Sequence, residues 1–218
     1  MRKSLVLTLT AGLVATSLAV PAVAAKKAKP VKTTLYLHGS APIGEADNFA
    51  IVAPGTYMTM DATEPSGAEP KSKQLTNYVG GPNTQCTGND LFPVWVGDLT
   101  GTVTGDMKVT FHTIASGGSV DVQVWPDVAS QLCNNDLTGA AAYPEPAGTV
   151  RVDLPQGPGN VEAVIEGVKF KAGSKLMLQL TPVVESPFFG RVLYDSTAFV
   201  SSIEFGCIPA KGAKSCTP

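Results

Sequence analysis

The chain has 218 residues, of which 16 are basic and 18 acidic, so its formal net charge at pH 7 is −2. This length is sufficient for one sizeable domain with its own hydrophobic core. The balance of charge excludes a strongly basic chain of the kind that binds nucleic acid, and we expect no nucleic-acid partner.

The first 25 residues predict a secretory signal peptide. Two basic residues precede the apolar run Leu5–Val20, whose length of about 16 residues is short of the roughly 20 that span a bilayer. Small residues follow, and we expect cleavage after Ala24 or Ala25. A basic linker then occupies residues 26–33. No later apolar run is long enough to span a membrane, so we expect a secreted protein, extracellular or on the exterior of the cell envelope.

Short stretches of alternating apolar and polar residues recur along the mature chain and predict β-strands. They include Leu35–Leu37, Met107–Phe111, Val120–Val124, Val150–Leu154, Val161–Ile165, Leu176–Leu180 and Ile203–Phe205. Each stretch has one apolar face, as in antiparallel sheets that bury one side. We therefore expect an all-β domain over residues 34–206, an antiparallel β-sandwich or jelly roll, followed by a tail at 207–218.

Two less regular segments predict long loops between the strands. Residues 61–74 are polar and contain two prolines and a glycine, and residues 126–148 combine prolines with a run of asparagine and aspartate. These residue types favour turns and break strand patterns. The second loop also contains a cysteine.

The four cysteines predict two disulfides, because an exported chain reaches an oxidising compartment. Three pairings of Cys86, Cys133, Cys207 and Cys216 are possible. We favour Cys86–Cys133 with Cys207–Cys216, since proline and glycine between the last two allow a tight reversal. Metal binding by these cysteines is disfavoured because the chain has no Cys-x-x-Cys pair.

Aromatic residues supply the candidate ligand-binding side chains. Trp95 is out of phase with Val94 and Val96, and Trp125 and Tyr36 are out of phase with the apolar residues of their own strands. If the valines face the core, Trp95, Trp125 and Tyr36 lie on the opposite face, where exposed rings can stack on sugars. The alternative is that the loops at 61–74 or 126–148 cover these rings.

The candidate catalytic and metal-binding residues are few. His38 ends a strand, and His112 falls on a polar strand face, which predicts exposure. The sequence leaves open whether Asp98 or Asp195 orients a histidine as in a catalytic triad. Two polar clusters, Glu45 with Asp47 and Asn48 and the run Asn134–Asp136, contain ligand types that suit Ca²⁺, but neither has the spacing of a known loop. We expect no cofactor.

One part of the chain resembles a known family. The resemblance is carried by Gly97–Gly101, Val120–Val124, Val161–Ile165 and Phe170–Leu176 in this order. This part of the chain is similar to the non-catalytic C-terminal jelly-roll domain of the X-Pro dipeptidyl-peptidase and cocaine-esterase family of α/β-hydrolases. In addition, Arg191–Ser196 resembles accessory β-domains of secreted bacterial peptidases. The resemblance implies a galactose-binding-like sandwich.

The family's catalytic residues do not carry over to this sequence. Those enzymes hold their nucleophile on a Gly-x-Ser-x-Gly elbow in a separate α/β domain, and the sequence contains no such motif. We therefore predict a secreted, non-catalytic β-sandwich module that binds a cell-surface glycan or another extracellular protein. The alternatives are a structural or interaction domain accessory to a secreted enzyme and, third, a secreted hydrolase.

Overall fold

The computed structural model describes residues 28–39, 58–76, 93–126, 146–183 and 189–218, which form strands and no helix. The predicted all-β class is confirmed. The eleven strands are β1 Val31–His38, β2 Met58–Asp61, β3 Lys71–Thr76, β4 Val94–Asp98, β5 Thr102–Ser116, β6 Ser119–Trp125, β7 Gly148–Asp153, β8 Gln156–Phe170, β9 Lys175–Pro182, β10 Phe189–Tyr194 and β11 Ser202–Ile208. In this part of the chain no helix is long and apolar enough to cross a membrane.

The strands form one continuous sheet that folds over itself. Neighbours follow the order β3-β10-β5-β11-β1-β2-β4-β9-β6-β7, and β8 pairs with β5. Every described pairing is antiparallel except that of β2 with β4, which is parallel. The carboxyl ends of β2 and β4 therefore lie side by side at one edge of the fold.

Alternation along the long strands places one face of each in the core. Met107, Val109 and Phe111 on β5 are fully buried. Their partners across the ladder lie in the stretch Val161–Ile165 of β8, and the inward residues of that stretch are also buried. Cross-strand pairs of this kind stabilise a sheet by packing side chains on one face.

The two layers of the sandwich meet where β7 packs against β8 without a hydrogen-bonded ladder between them. Gly148 of β7 lies so close to β8 that an added Cβ would collide with Ile165 and come within 3.2 Å of Val168. Only a residue without a side chain fits this approach. The predicted β-sandwich is thereby confirmed.

The strand β9 is buried on both faces over most of its length, which the alternating sequence did not predict. Leu176, Leu178 and Leu180 of β9 face the main core, whereas Met177 is equally buried on the other face. A second cluster forms there from Met177 and Val94, with Val96 and Trp125 packed against it.

Several expected boundaries differ from the structure. Val31, inside the expected linker 26–33, already begins β1, where it pairs with Cys207 of β11. The expected loop 61–74 is shorter, because Asp61 ends β2 and Lys71 begins β3. β3 is polar and lies at the end of the strand order, so it lacks the apolar alternation of a half-buried strand. Most of the expected loop 126–148 and the signal peptide, residues 1–25, lie outside the described residues.

The tail at 207–218 is ordered by the predicted Cys207–Cys216 disulfide, which is confirmed. Both cysteines are completely buried, and the backbone N–H of Thr100 donates a 2.8 Å hydrogen bond to the Cys216 carbonyl. The strand β11 extends to Ile208, so the tail begins inside the sheet. Cys86 and Cys133 lie outside the described residues.

Candidate functional site

Trp95 lies in the core, so the prediction that it is an exposed ligand-binding ring is wrong. Its side chain has no exposed surface and packs edge-on against Tyr194, with the ring centroids 5.3 Å apart. The phase argument separated the two faces of β4 correctly. It assigned them wrongly, because the Val94 face is the one that carries the smaller cluster on the outside of the sheet.

Trp125 and Tyr36 are partly exposed but do not form one platform. Trp125 packs on the outer cluster with Val94 and Met177, and its indole Nε1 has no hydrogen-bond partner among the described residues. The Tyr36 hydroxyl donates a 3.1 Å hydrogen bond to Glu64, and partial burial followed by this carboxylate raises the pKa of Tyr36. Each ring therefore has its own surroundings.

A histidine, an aspartate and a lysine form a network that connects three segments. His38 Nδ1 lies 2.7 Å from Asp195 Oδ1, and Lys71 Nζ lies 2.5 Å from Asp195 Oδ2. The backbone N–H of Gly39 also donates to Asp195 Oδ2, at 3.3 Å, and Lys71 donates to the Gly39 carbonyl. Asp195 thus connects the end of β1, the start of β3 and the end of β10.

Asp195 is held as a carboxylate in an unusual backbone conformation. Burial acts to raise its pKa, but the hydrogen bonds from Lys71, His38 and Gly39 outweigh burial and lower the pKa below its usual value. Its φ of 59° lies in the left-handed region, which aspartate tolerates better than most residues. The structure therefore selects Asp195 as the partner of His38, whereas Asp98 forms an exposed ion pair with Lys175.

The His38–Asp195 pair has the geometry of two members of a catalytic triad but lacks an available base. His38 Nε2 lies 3.0 Å from the carbonyl oxygen of Thr63 and 3.4 Å from Asp61 Oδ1. In a triad this nitrogen must accept the proton of a nucleophile. Here it lies within reach of two acceptors on the loop after β2, so it is already engaged, and the ring joins this loop to Asp195.

His112 is half-buried rather than exposed as predicted. Its ring packs edge-on against Phe199, with the ring centroids 5.1 Å apart, and burial lowers its pKa. Ser201, two residues beyond Phe199, accepts a hydrogen bond from the His112 backbone N–H. The segment after β10 thus covers a strand face that the sequence pattern assigned to solvent.

A cleft of about 310 Å³ opens at the carboxyl ends of the parallel strands β2 and β4. Its apolar lining comes from Leu35, Met60, Val96 and Pro218, and its polar lining from Thr59, Asp61, Thr63, Asp98 and Thr217. At Gly97 an added Cβ would lie 2.7 Å from the Met60 carbonyl oxygen, so the close approach of the two strands requires glycine here. We call this feature the β2–β4 cleft.

The C-terminal tail forms one wall of the β2–β4 cleft. Thr217 and Pro218 line the cleft directly after Cys216, whose disulfide to β11 fixes the tail. The Ser215 hydroxyl donates to the Thr217 carbonyl at 2.9 Å and gives the wall an internal hydrogen bond. The disulfide thereby anchors one wall of the cleft.

Two carboxylates flank the β2–β4 cleft. Burial acts to raise the pKa of Asp61, but hydrogen bonds from Thr63 and the positive charge of His38 lower the pKa overall. Asp98 accepts a 2.8 Å hydrogen bond from Lys175, in a pair whose side chains are 60% and 53% exposed. Exposed ion pairs of this kind contribute about 0–1 kcal/mol to stability, so little free energy is needed to separate Lys175 from Asp98.

Sequence reasoning missed Lys71 and the β2–β4 cleft. Lys71 lies 124 residues from Asp195, in a segment that the sequence predicts as a loop, and no local pattern connects the two. The calcium-type clusters at Glu45–Asn48 and Asn134–Asp136 lie outside the described residues. Within the described segments, no three His, Cys, Asp or Glu side chains are grouped closely enough to hold a metal ion.

Comparison with known proteins gives a likeness of fold. No family model matches the chain, and no curated protein matches it in sequence. A CocE/NonD family hydrolase from Staphylococcus aureus superposes with a TM-score of 0.52 at 10% identity, over 82% of this chain and 37% of the hydrolase. A second structure of that hydrolase, at 1.95 Å, gives 0.52 and 11% over 83% and 37%. An alpha-amino acid ester hydrolase gives 0.48 and 12% over 83% and 36%.

The two superpositions on the Staphylococcus aureus hydrolase confirm the resemblance noted in the sequence at the level of the fold. The chain spans about 37% of the length of the Staphylococcus aureus hydrolase, so it corresponds to part of such an enzyme. At this identity the likeness concerns the arrangement of strands and does not extend to any catalytic residue.

Proposed function

We propose that this chain is an exported, non-catalytic β-sandwich module that binds an extracellular polypeptide in the β2–β4 cleft and acts as an accessory to a hydrolase. The observation that carries the proposal is the cleft itself. It is a concave site with an apolar floor and a few converging polar groups, which is the usual form of a binding site.

The state of the His38 network supports a role without catalysis. Both imidazole nitrogens face acceptors, and Asp195 is occupied by three donors. General acid–base catalysis requires a titratable group within reach of the substrate proton. His38 instead ties the loop that carries Thr63 to the sandwich and so shapes one side of the cleft.

The partial match to a hydrolase supports an accessory role. The sandwich superposes on 37% of a CocE/NonD family hydrolase, and the enzyme that it assists is therefore proposed to be a hydrolase. The signal-like N-terminus and the Cys207–Cys216 disulfide support a location outside the cytoplasm, where disulfides persist.

The lining of the cleft favours a polypeptide over a glycan. Sugar sites commonly offer an aromatic ring for stacking, and the residues that line the β2–β4 cleft include none. Trp95, which would have contributed most to an aromatic platform, is buried in the core. The cleft offers both apolar and polar groups, which can contact the side chains and the backbone of an extended peptide.

The test compares two tryptophan substitutions at exposed strand threonines. Thr59→Trp fills the cleft, whereas Thr149→Trp lies on β7, three strands away from β4 in the sheet. We expect the full chain to bind peptides on a synthetic decapeptide array, to lose them in Thr59→Trp and to keep them in Thr149→Trp. Purified cell-wall polysaccharide is the comparison ligand.

Two outcomes would overturn the proposal. If the chain bound the polysaccharide and no peptide, its ligand would be a glycan and not a polypeptide. Turnover of nitrophenyl esters or aminoacyl nitroanilides by the purified chain, lost on His38→Gln, would make the protein an enzyme.

A further inference from the structure

We propose that the β2–β4 cleft recognises a lysine side chain, that is, a primary ammonium on an unbranched apolar stem. This inference rests on the proposed function and names the group that the cleft selects in a polypeptide. Its elements are the parallel arrangement of β2 and β4, the apolar floor between them and the existing ammonium contact at the rim.

The parallel arrangement brings two carboxylates to the same edge. Thr59 of β2 is in register with Val96 of β4, so Asp61 and Asp98, each two residues further on, end neighbouring strands. Neighbouring strands lie about 4.8 Å apart. An ammonium group carries three donors around one point, so it can serve both carboxylates at once.

The cleft behind these carboxylates suits an apolar stem. Leu35 and Met60 are almost completely buried and form its floor, and Val96 is half-buried beside them. A lysine side chain places its methylene groups on apolar surface while its charged end stays near water. The tail residue Pro218 also lines the cleft and adds apolar surface.

An ammonium group of this chain already occupies part of the rim. Lys175 Nζ donates to Asp98 Oδ1 at 2.8 Å, and both side chains are more than half exposed. Asp61 Oδ1 accepts the Thr63 backbone N–H at 2.7 Å and faces His38 at 3.4 Å. The contacts described for both aspartates are made through Oδ1.

The experiment titrates the full chain with Nα-acetyl-lysine methylamide and monitors backbone amides by ¹H–¹⁵N NMR. The matched probe is Nα-acetyl-norleucine methylamide, which has the same stem without the ammonium. We expect saturable shifts at Thr59, Val96 and Gly97 with the lysine probe and at least tenfold weaker binding of norleucine. Equal binding of the two probes, or no saturable shift with lysine, would overturn the inference in the unmodified protein.

Variants then test the two carboxylates. Asp61→Asn with Asp98→Asn should weaken lysine binding at least tenfold, whereas Glu166→Gln, an exposed change on β8, should leave it unchanged. An unchanged affinity in the double variant contradicts the role of the carboxylates.

The same variants separate this inference from the proposed function. If array peptides still bind the double variant and are lost only in Thr59→Trp, the cleft binds polypeptide without selecting lysine, so the inference fails and the proposed function stands. If no array peptide binds the unmodified chain, the proposed function itself fails.

Discussion

Replacing Trp95 tests whether its indole belongs to the core or to a ligand-binding surface. The side chain has no exposed area and contacts Tyr194 edge-on, so Trp95→Ala leaves a large cavity. Truncation of a buried tryptophan or phenylalanine costs about 3–5 kcal/mol. Since domains are stable by about 5–15 kcal/mol, this variant is expected to fold with little stability left.

The structure also predicts how Trp95→Phe differs from Trp95→Ala. Among the described residues the buried indole Nε1 of Trp95 has no hydrogen-bond partner, a state that costs about 1–3 kcal/mol. Phenylalanine removes this group and keeps most of the ring, so we expect a loss below about 1.5 kcal/mol, in the range of well-tolerated core exchanges. Trp125→Ala, at a half-buried position, should cost about 1–2 kcal/mol.

The assay is urea unfolding followed by circular dichroism, with the midpoints and slopes of all variants compared. If the slope of the free energy of unfolding against urea concentration stays constant, a shift of the midpoint reports a change in stability. In a Trp125→Phe background, the fluorescence of Trp95 should be blue-shifted and protected from acrylamide. A loss below about 1 kcal/mol for Trp95→Ala, or strong quenching of that fluorescence, would refute the placement of Trp95 in the core.

Three further predictions concern the disulfide, the Asp195 network and the cleft. Cys207→Ala with Cys216→Ala should lower the free energy of unfolding, measured by urea unfolding, by about 2.7 kcal/mol for a loop of about ten residues. It should also weaken the binding of the lysine probe, measured by NMR. Unchanged binding would show that the tail does not form a wall of the β2–β4 cleft. Because the pKa of Asp195 is lowered in the folded state, its contribution to stability is present above the unfolded pKa of about 3.9 and is lost as pH falls through the folded pKa. Between about pH 5 and 2 the melting temperature should therefore fall more steeply for the unmodified chain than for Asp195→Asn. If both melting temperatures fell equally steeply, Asp195 would make no such contribution. Gly97→Ala places a Cβ 2.7 Å from the Met60 carbonyl oxygen and should cost about 1–3 kcal/mol while weakening the lysine probe; an unchanged melting temperature and affinity would contradict the close approach.

The sequence predicted the strands that have one solvated face. On β6, Val120, Val122 and Val124 are fully buried as the alternation requires, and Trp125 lies on the other face. The same reasoning failed on β4, since alternation separates two faces without saying which one meets the core. When both faces of a strand are covered, as around Met177, the alternation of residues does not show which face belongs to the larger hydrophobic cluster.

The candidate site was beyond the reach of the sequence because it depends on which distant segments become neighbours. His38 meets Asp195 across 157 positions, and β5 and β11 lie between β1 and β10 in the sheet order, so neither sequence distance nor strand pairing announces the contact. The cleft depends on the single parallel pairing among the described strands, and short polar strands such as β3 give no periodic signal. The Cys207–Cys216 pairing was predictable because its constraint is local.

The most direct test of a non-catalytic cleft is to measure binding and cleavage of one lysine-containing decapeptide on the same sample. We predict that the peptide binds the unmodified chain and the Thr149→Trp variant and does not bind the Thr59→Trp variant. Mass spectrometry should recover the peptide intact. Equal affinity of the two tryptophan variants, or peptide fragments that disappear on His38→Gln, would contradict it.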